Sequence, residues 1–259
     1  MKERKWPIII YSVVSVLLLL LYVSLFPGLQ SQSKQLGEVL KSMPAGLLKA
    51  LGSSADQLSN FTLEALLASK QFSVVFQTMA AILAISIAVN DLAAEIERGT
   101  IEFLLSQPVS RLKLYFSRFF SGAILLITFT AFSTISVIPL AKMFNVAYQA
   151  NVYFMLFFVG SLFALACYSF SYLISALSST NGRVFGIAGG IIGYMYITFI
   201  VSTLKENLDK LKFVSFFHYF SADVIYNGID KLAIWVFVLT IIICTTVGAV
   251  IFQRRDISA

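Results

Sequence analysis

Residues 90–118 read NDLAAEIERGTIEFLLSQPVSRLKLYFSR. Asp91, Glu95, Glu97 and Arg98 charge the first third, Gly99-Thr100 interrupts it, a short apolar run from Ile101 to Ser106 follows, and Pro108 closes that run. On either side lie Phe72–Val89 and Phe119–Ala141, two apolar runs long enough to cross a hydrocarbon core of about 30 Å at about 1.5 Å per residue. A charged interruption between two spans sets the fold class. The chain reads as an all-α membrane protein, because in lipid only helices and closed barrels satisfy their own backbone groups.

The composition agrees. Hydrophobic residues make up 58% of the 259 residues and charged residues 12%, with a mean hydropathy of +0.86, whereas soluble domains carry about 25% charged residues. The 24 Phe and 11 Tyr suit lipid-facing surface and interfacial anchoring. A net charge of +6 on such a chain reports topology and attraction to anionic membrane lipid, and no nucleic-acid partner is expected. Cys167 and Cys244 both fall inside apolar runs and read as small buried hydrophobes, so neither a disulfide nor a metal site is expected.

Outward from the charged stretch, six spans are predicted over about 8–26, 72–89, 119–141, 152–177, 184–204 and 232–252, within a single transmembrane domain covering 1–259. The first follows the basic start MKERKWP. A cleaved signal peptide is the alternative there, but the run is too long for one and no small-x-small site follows. Segment 27–71 is assigned to the outer face. Leu36, Val39, Leu40, Met43, Leu47 and Leu51 recur at helical steps within it, which predicts short interfacial helices bent at Pro44 and Gly46. Segment 205–231 is a second outer stretch; its aromatic middle, FVSFFHYFSADVIYNGID, is too short to cross and is expected to dip into the outer leaflet. His218 within it reads as an interfacial ring. Ser169, Ser171, Ser175, Ser178 and Ser179 suit helix packing in lipid. So do Gly186, Gly189, Gly190 and Gly193, which make two overlapping Gly-x-x-x-Gly spacings; a phosphate loop would need a preceding strand and a Lys-Ser/Thr pair, and neither is present.

Six spans put both termini on one face. Lys and Arg together divide almost evenly between faces, but all seven arginines (Arg4, Arg98, Arg111, Arg118, Arg183, Arg254 and Arg255) share the face of 90–118. Arg4, Arg254 and Arg255 also lie hard against spans, where the positive-inside effect is strongest. Both termini and 90–118 are therefore assigned to the cytoplasm, in a multi-pass protein of the cell membrane.

The predicted span interiors carry no Asp, Glu, Lys, Arg or His, which argues against proton or ion coupling. No nucleophile–base pair, paired carboxylate or His-x-x-x-His spacing points to an enzyme. Energy must then enter through a partner, and 90–118 is the place for it. Asp91–Arg98 extends the second span out of the membrane, and Gly99 breaks the helix. Thr100 caps a short new helix with Glu102 in its first turn; Ile101, Leu104 and Leu105 form its apolar face, Pro108 ends it, and Ser110 caps the helix into the third span.

The run Glu97–Arg111, ERGTIEFLLSQPVSR, closely resembles the E-x-G-T-x-E-x-L-L-x-x-P-x-S-R pattern of ABC-2 type permeases, and the six-span layout extends the resemblance over nearly the whole chain. It implies that the segment is a cytoplasmic coupling helix docking on a separate ABC ATPase subunit. Glu97, Arg98, Glu102 and Arg111 would make charged contacts, and Gly99, Thr100, Ile101, Leu104, Leu105 and Pro108 would shape the docking element. It further implies two permease copies, identical or different, working with two ATPases in export. The chain has no Walker motif, so ATP belongs to the partner subunit and no cofactor is expected on this chain. The amphipathic elbow helix common before the first span in that family is reduced here to MKERKWP. An uncharged membrane interior suits amphiphilic substrates. A non-transporting assembly or sensor component, and an ion-coupled carrier, are the alternatives.

Overall fold

A computed structural model describes residues 5–41, 62–99, 110–204, 206–220 and 228–255. Six long helices are present: α1 (Lys5–Lys41), α2 (Leu63–Glu97), α3 (Arg111–Met143), α4 (Ala150–Leu177), α5 (Asn181–Leu204) and α6 (Lys231–Arg254). Each contains a stretch long and apolar enough to cross a membrane, and the described residues contain no strand. The protein is an all-α membrane protein.

Two helices run further than their apolar cores. α1 continues through Pro27 to Lys41 as one helix of 37 residues, so the outer stretch expected from residue 27 begins as a continuation of the first span. Proline lacks an N–H and crowds the preceding turn, yet such residues are tolerated in membrane helices where neighbours take up the freed groups. The expected bend at Pro44 and Gly46 lies outside the described residues. α2 begins at Leu63, because the Thr62 hydroxyl accepts the Ala65 N–H at 3.2 Å and Glu64 occupies the first turn. The Glu64 carboxylate, buried, accepts the Gln149 N–H at 2.8 Å and ties the start of α2 to that of α4.

α4 is the central helix. It packs along α6, α3 and α2, with Tyr153, Phe163, Tyr168 and Tyr172 wholly buried. By contrast, 22% of the most apolar stretch of α5 is buried, against 61% for α2. α5 thus lies at the edge of the bundle, as do α1 at 22% and α6 at 28%.

α2 carries two π-helical stretches, Ala68–Phe76 and Val89–Ala93. Gln71 and Gln77 lie in and just after the first, both wholly buried. Gln71 donates to the Ser15 hydroxyl of α1 at 3.2 Å. Gln77 donates to the carbonyls of Phe217 and Phe220. That holds the one-turn helix Phe216–Tyr219 inside the bundle, where Phe217 and Phe220 meet Phe163 at 5.3 and 5.4 Å. Phe216, Phe217 and Phe220 of the aromatic segment expected to dip into one leaflet thus pack between helices, while its residues 221–227 lie outside the described residues. His218 lies edge-on to Phe213. Burial, with Asp230 adding to it, raises the pKa of the neighbouring Tyr219 hydroxyl.

These two glutamines give a graded expectation. Interhelical hydrogen bonds in membranes average about 0.6 kcal/mol and reach about 1.7. Gln71→Leu, which removes one bond to a hydroxyl, should cost near the lower figure; Gln77→Leu, which removes a double tether to backbone, near the upper. Thermal midpoints of the two variants in detergent test this order.

Candidate functional site

At one end of the bundle meet the end of α2, the start of α3, the turn between α4 and α5, and the end of α6. α2 stops because Gly99 takes up the left-handed conformation, φ +68°, with its N–H bonded to the Ile96 carbonyl at 3.0 Å. A side chain there would be strained, which is why glycine ends the helix. Arg98 is the exposed cap residue before it. α3 starts where the Ser110 hydroxyl accepts the Lys113 N–H at 3.3 Å. Of the residues expected to couple, Thr100, Ile101, Glu102, Leu104, Leu105 and Pro108 lie outside the described residues.

The flanking members of that set engage this chain's own groups. Glu97, the last residue of α2, accepts the Asn181 N–H at 2.9 Å, so its carboxylate caps the first turn of α5. Arg111, the first residue of α3, donates to the Arg255 carbonyl. Arg255 in turn donates to the Ala176 and Ser178 carbonyls at 2.7 and 3.0 Å and to the Ser179 hydroxyl. Two turns further along α3, Arg118 pairs with Glu95 at 2.6 Å; both side chains are partly exposed, so the pair is worth at most about 1 kcal/mol.

Beneath this face sits a buried polar cluster. Asp91 lies in the second π-helical stretch of α2 and is wholly buried. The sequence places Asp91 where the second span leaves the membrane; the structure buries its carboxyl group against α3 and α4. The Tyr168 hydroxyl donates to Asp91 Oδ2 at 2.5 Å, with the Phe119 carbonyl 3.3 Å away. Gly122 makes room for the pair: a Cβ there would stand 2.2 Å from the tyrosine oxygen and 2.7 Å from Asp91 Oδ2. On the same stretch, the Ala93 N–H donates to the Ser175 hydroxyl of α4 at 3.1 Å. Tyr172 and Tyr115 extend the network, donating to the Tyr115 and Thr245 carbonyls at 2.8 and 3.1 Å. Of the five serines read as packing residues, Ser169 and Ser171 bond back within α4, while Ser175 and Ser179 bridge to other elements.

Between α2 and α5 runs an apolar groove of about 290 Å³, lined by Thr78, Ile82, Ile85, Phe185, Gly189 and Tyr196 among others. Gly193 shares its wall. The close packing expected of Gly186, Gly189, Gly190 and Gly193 is not made inside this chain, since a Cβ at any of them would meet nothing within 4 Å. Gly186 and Gly190 lie on the exposed side of α5, while Gly189 and Gly193 face the groove. The tight approaches belong to Gly122, Gly160 and Gly248, which have no motif to announce them. Arg255 was legible only as a charge flanking a span.

Among the described residues, no group of three His, Cys, Asp or Glu is placed to hold a metal ion. A family model described as "ABC-2 family transporter protein" matches residues 3–257. No curated protein matches the chain.

Proposed function

The chain belongs to the ABC-2 family of transporters as a membrane permease, and on that premise we propose that it is one of two permease subunits of an exporter, driven by separate cytoplasmic ABC ATPases that dock on residues 97–111. ATP binds and is hydrolysed at those partners. Both termini then lie in the cytoplasm and the opposite end of the bundle faces outward from the cell membrane. The substrate is amphiphilic.

The observation that supports this reading best is the gathering of four helix ends on one face. Residues 100–109 begin and end there, and both flanks, Glu97 and Arg111, are anchored to other elements of that face. A segment anchored at both ends on such a platform can deliver force to helices instead of absorbing it. The groove between α2 and α5 supports the substrate class, for its lining is almost wholly apolar and favours a ligand with a large hydrophobic part.

Co-expression with the ATPase partner tests the docking. Leu105→Ala and Glu102→Ala should each weaken the complex by about tenfold, the effect of losing roughly 1.4 kcal/mol at an interface anchor. In vesicles, substrate should stimulate ATP hydrolysis, and both variants should blunt that stimulation. Unchanged affinity together with unchanged transport would remove the coupling role; stable binding with no substrate-stimulated hydrolysis in the unaltered protein would point to a scaffold or sensor instead.

A further inference from the structure

We infer that Arg255 is a positioning residue for coupling, a clasp that fastens the α4–α5 turn to the base of the ATPase-docking segment so that force applied to the segment reaches α5. The inference rests on the docking role proposed for residues 100–109 and adds to it the route by which force leaves them.

Two sets of contacts, one from each flank of the segment, converge on the turn. From the upstream end of the segment, Glu97 accepts the Asn181 N–H at the first turn of α5. From the downstream end, Arg111 holds the Arg255 backbone carbonyl. The Arg255 side chain then returns to the Ala176 and Ser178 carbonyls and the Ser179 hydroxyl, just ahead of Asn181. Chemistry favours each link. The last carbonyls of α4 have no intrahelical donors and form the negative end of that helix, where a guanidinium is stabilised. The planar fork of arginine reaches several acceptors at once, which a lysine ammonium on its flexible stem does less well. A carboxylate at the start of α5 meets the opposite, positive end of a helix.

Of the two helices the turn joins, α5 is the more exposed: 50% of the most apolar stretch of α4 is buried against 22% of that of α5, and α5 forms one wall of the apolar groove. Displacing 100–109 therefore moves α5 against α2 more readily than it moves α4. Without the guanidinium, the downstream link ends at the α6 backbone, and the upstream link through Glu97 remains.

Two measurements test this. First, spin labels at Lys113→Cys and Gly182→Cys, both exposed, report the distance between the base of α3 and the turn in the purified permease; Cys167 and Cys244 are buried and stay unlabelled. The parent should give one narrow distribution and Arg255→Ala a broad one, with Arg255→Lys and Ser179→Ala between. Second, in vesicles with the ATPase, Arg255→Ala should keep binding the partner and hydrolysing ATP while substrate moved per ATP falls about tenfold, the scale of a lost charge-assisted hydrogen-bond set, and Arg255→Lys should recover part of it. If Arg255→Ala fails to accumulate, Ser179→Ala carries the same comparison at smaller amplitude. An unchanged distance distribution, or an unchanged transport-to-hydrolysis ratio in a variant that binds the ATPase, overturns the clasp. If the parent itself does not bind the ATPase, the docking role falls, and this inference about coupling falls with it; that outcome is separable because it appears before any Arg255 variant is made.

Discussion

Gly122→Ala should cost the permease about 3 kcal/mol, enough to strip most folded protein from the membrane of an expressing cell. The added methyl would stand 2.2 Å from the Tyr168 hydroxyl oxygen and 2.7 Å from Asp91 Oδ2, distances that real Cβ atoms do not tolerate. Tyr168 cannot swing aside: it is wholly buried, its ring stacked 5.2 Å from Phe119 and tilted 5.4 Å from Tyr172. Overpacking of this kind costs about 1–3 kcal/mol, and displacing the hydroxyl also takes a donor from a buried carboxyl group, a loss of about 1–3 kcal/mol. Against that, alanine gains about 1 kcal/mol over glycine in a helix interior, so the loss dominates. Gly186→Ala is the control, since its methyl meets nothing within 4 Å in this chain and only the helix gain remains. Fluorescence-detected size-exclusion after a heating series would separate the two; equal thermal midpoints would show that the cluster rearranges freely around the methyl.

Most of the fold is legible in the sequence because span length is a property of consecutive residues. The ends of spans are less so. Helix α2 starts at Leu63 and α3 at Arg111 because of single hydroxyls at Thr62 and Ser110; Ser110 was readable as a cap ahead of a strong periodic run, whereas Thr62 sits in a polar stretch with several candidates. The polar partners could not be read at all. Gln77 and Phe220 are 143 residues apart, Asp91 and Tyr168 77 apart, and nothing local specifies either pairing. Glycines show the same divide. A visible spacing drew attention to Gly186, Gly189, Gly190 and Gly193, while Gly122 and Gly248 stand alone in their spans and approach Tyr168 and Tyr115 only once the helices are assembled. Arg255 is the sharpest case, because a cation beside a span marks topology in sequence whether or not its guanidinium has structural acceptors.

Tyr168→Phe should destabilise the protein by about 2 kcal/mol, more than any ordinary interhelical hydrogen bond in the bundle, while Asp91→Asn should cost less than half as much. The asymmetry follows from who is left behind. Phenylalanine fills the same volume, so no cavity opens, but a fully buried carboxyl group loses a donor at 2.5 Å, and removing one partner of a buried hydrogen bond costs about 1–3 kcal/mol. Asparagine at 91 keeps an oxygen for the tyrosine to donate to, and the Phe119 carbonyl at 3.3 Å offers a second acceptor; the hydroxyl is never stranded. By comparison, the bond from Gln71 to Ser15, neutral on both sides, belongs near the 0.6 kcal/mol typical of membrane interiors. The cluster also has a position that gives it consequence: Asp91 lies on the π-helical stretch just ahead of Glu97, and through Tyr168 and Phe119 it fixes α2 against α4 and α3. Loosening it should therefore disturb the ends that carry residues 100–109, so Tyr168→Phe should lower substrate-stimulated ATP hydrolysis even at temperatures where the protein stays folded. Thermal midpoints of both single variants and the double variant decide the energetic part. A Tyr168→Phe midpoint no lower than that of Asp91→Asn would show that the Asp91 carboxylate draws its stabilisation from elsewhere and that the tyrosine hydroxyl is dispensable.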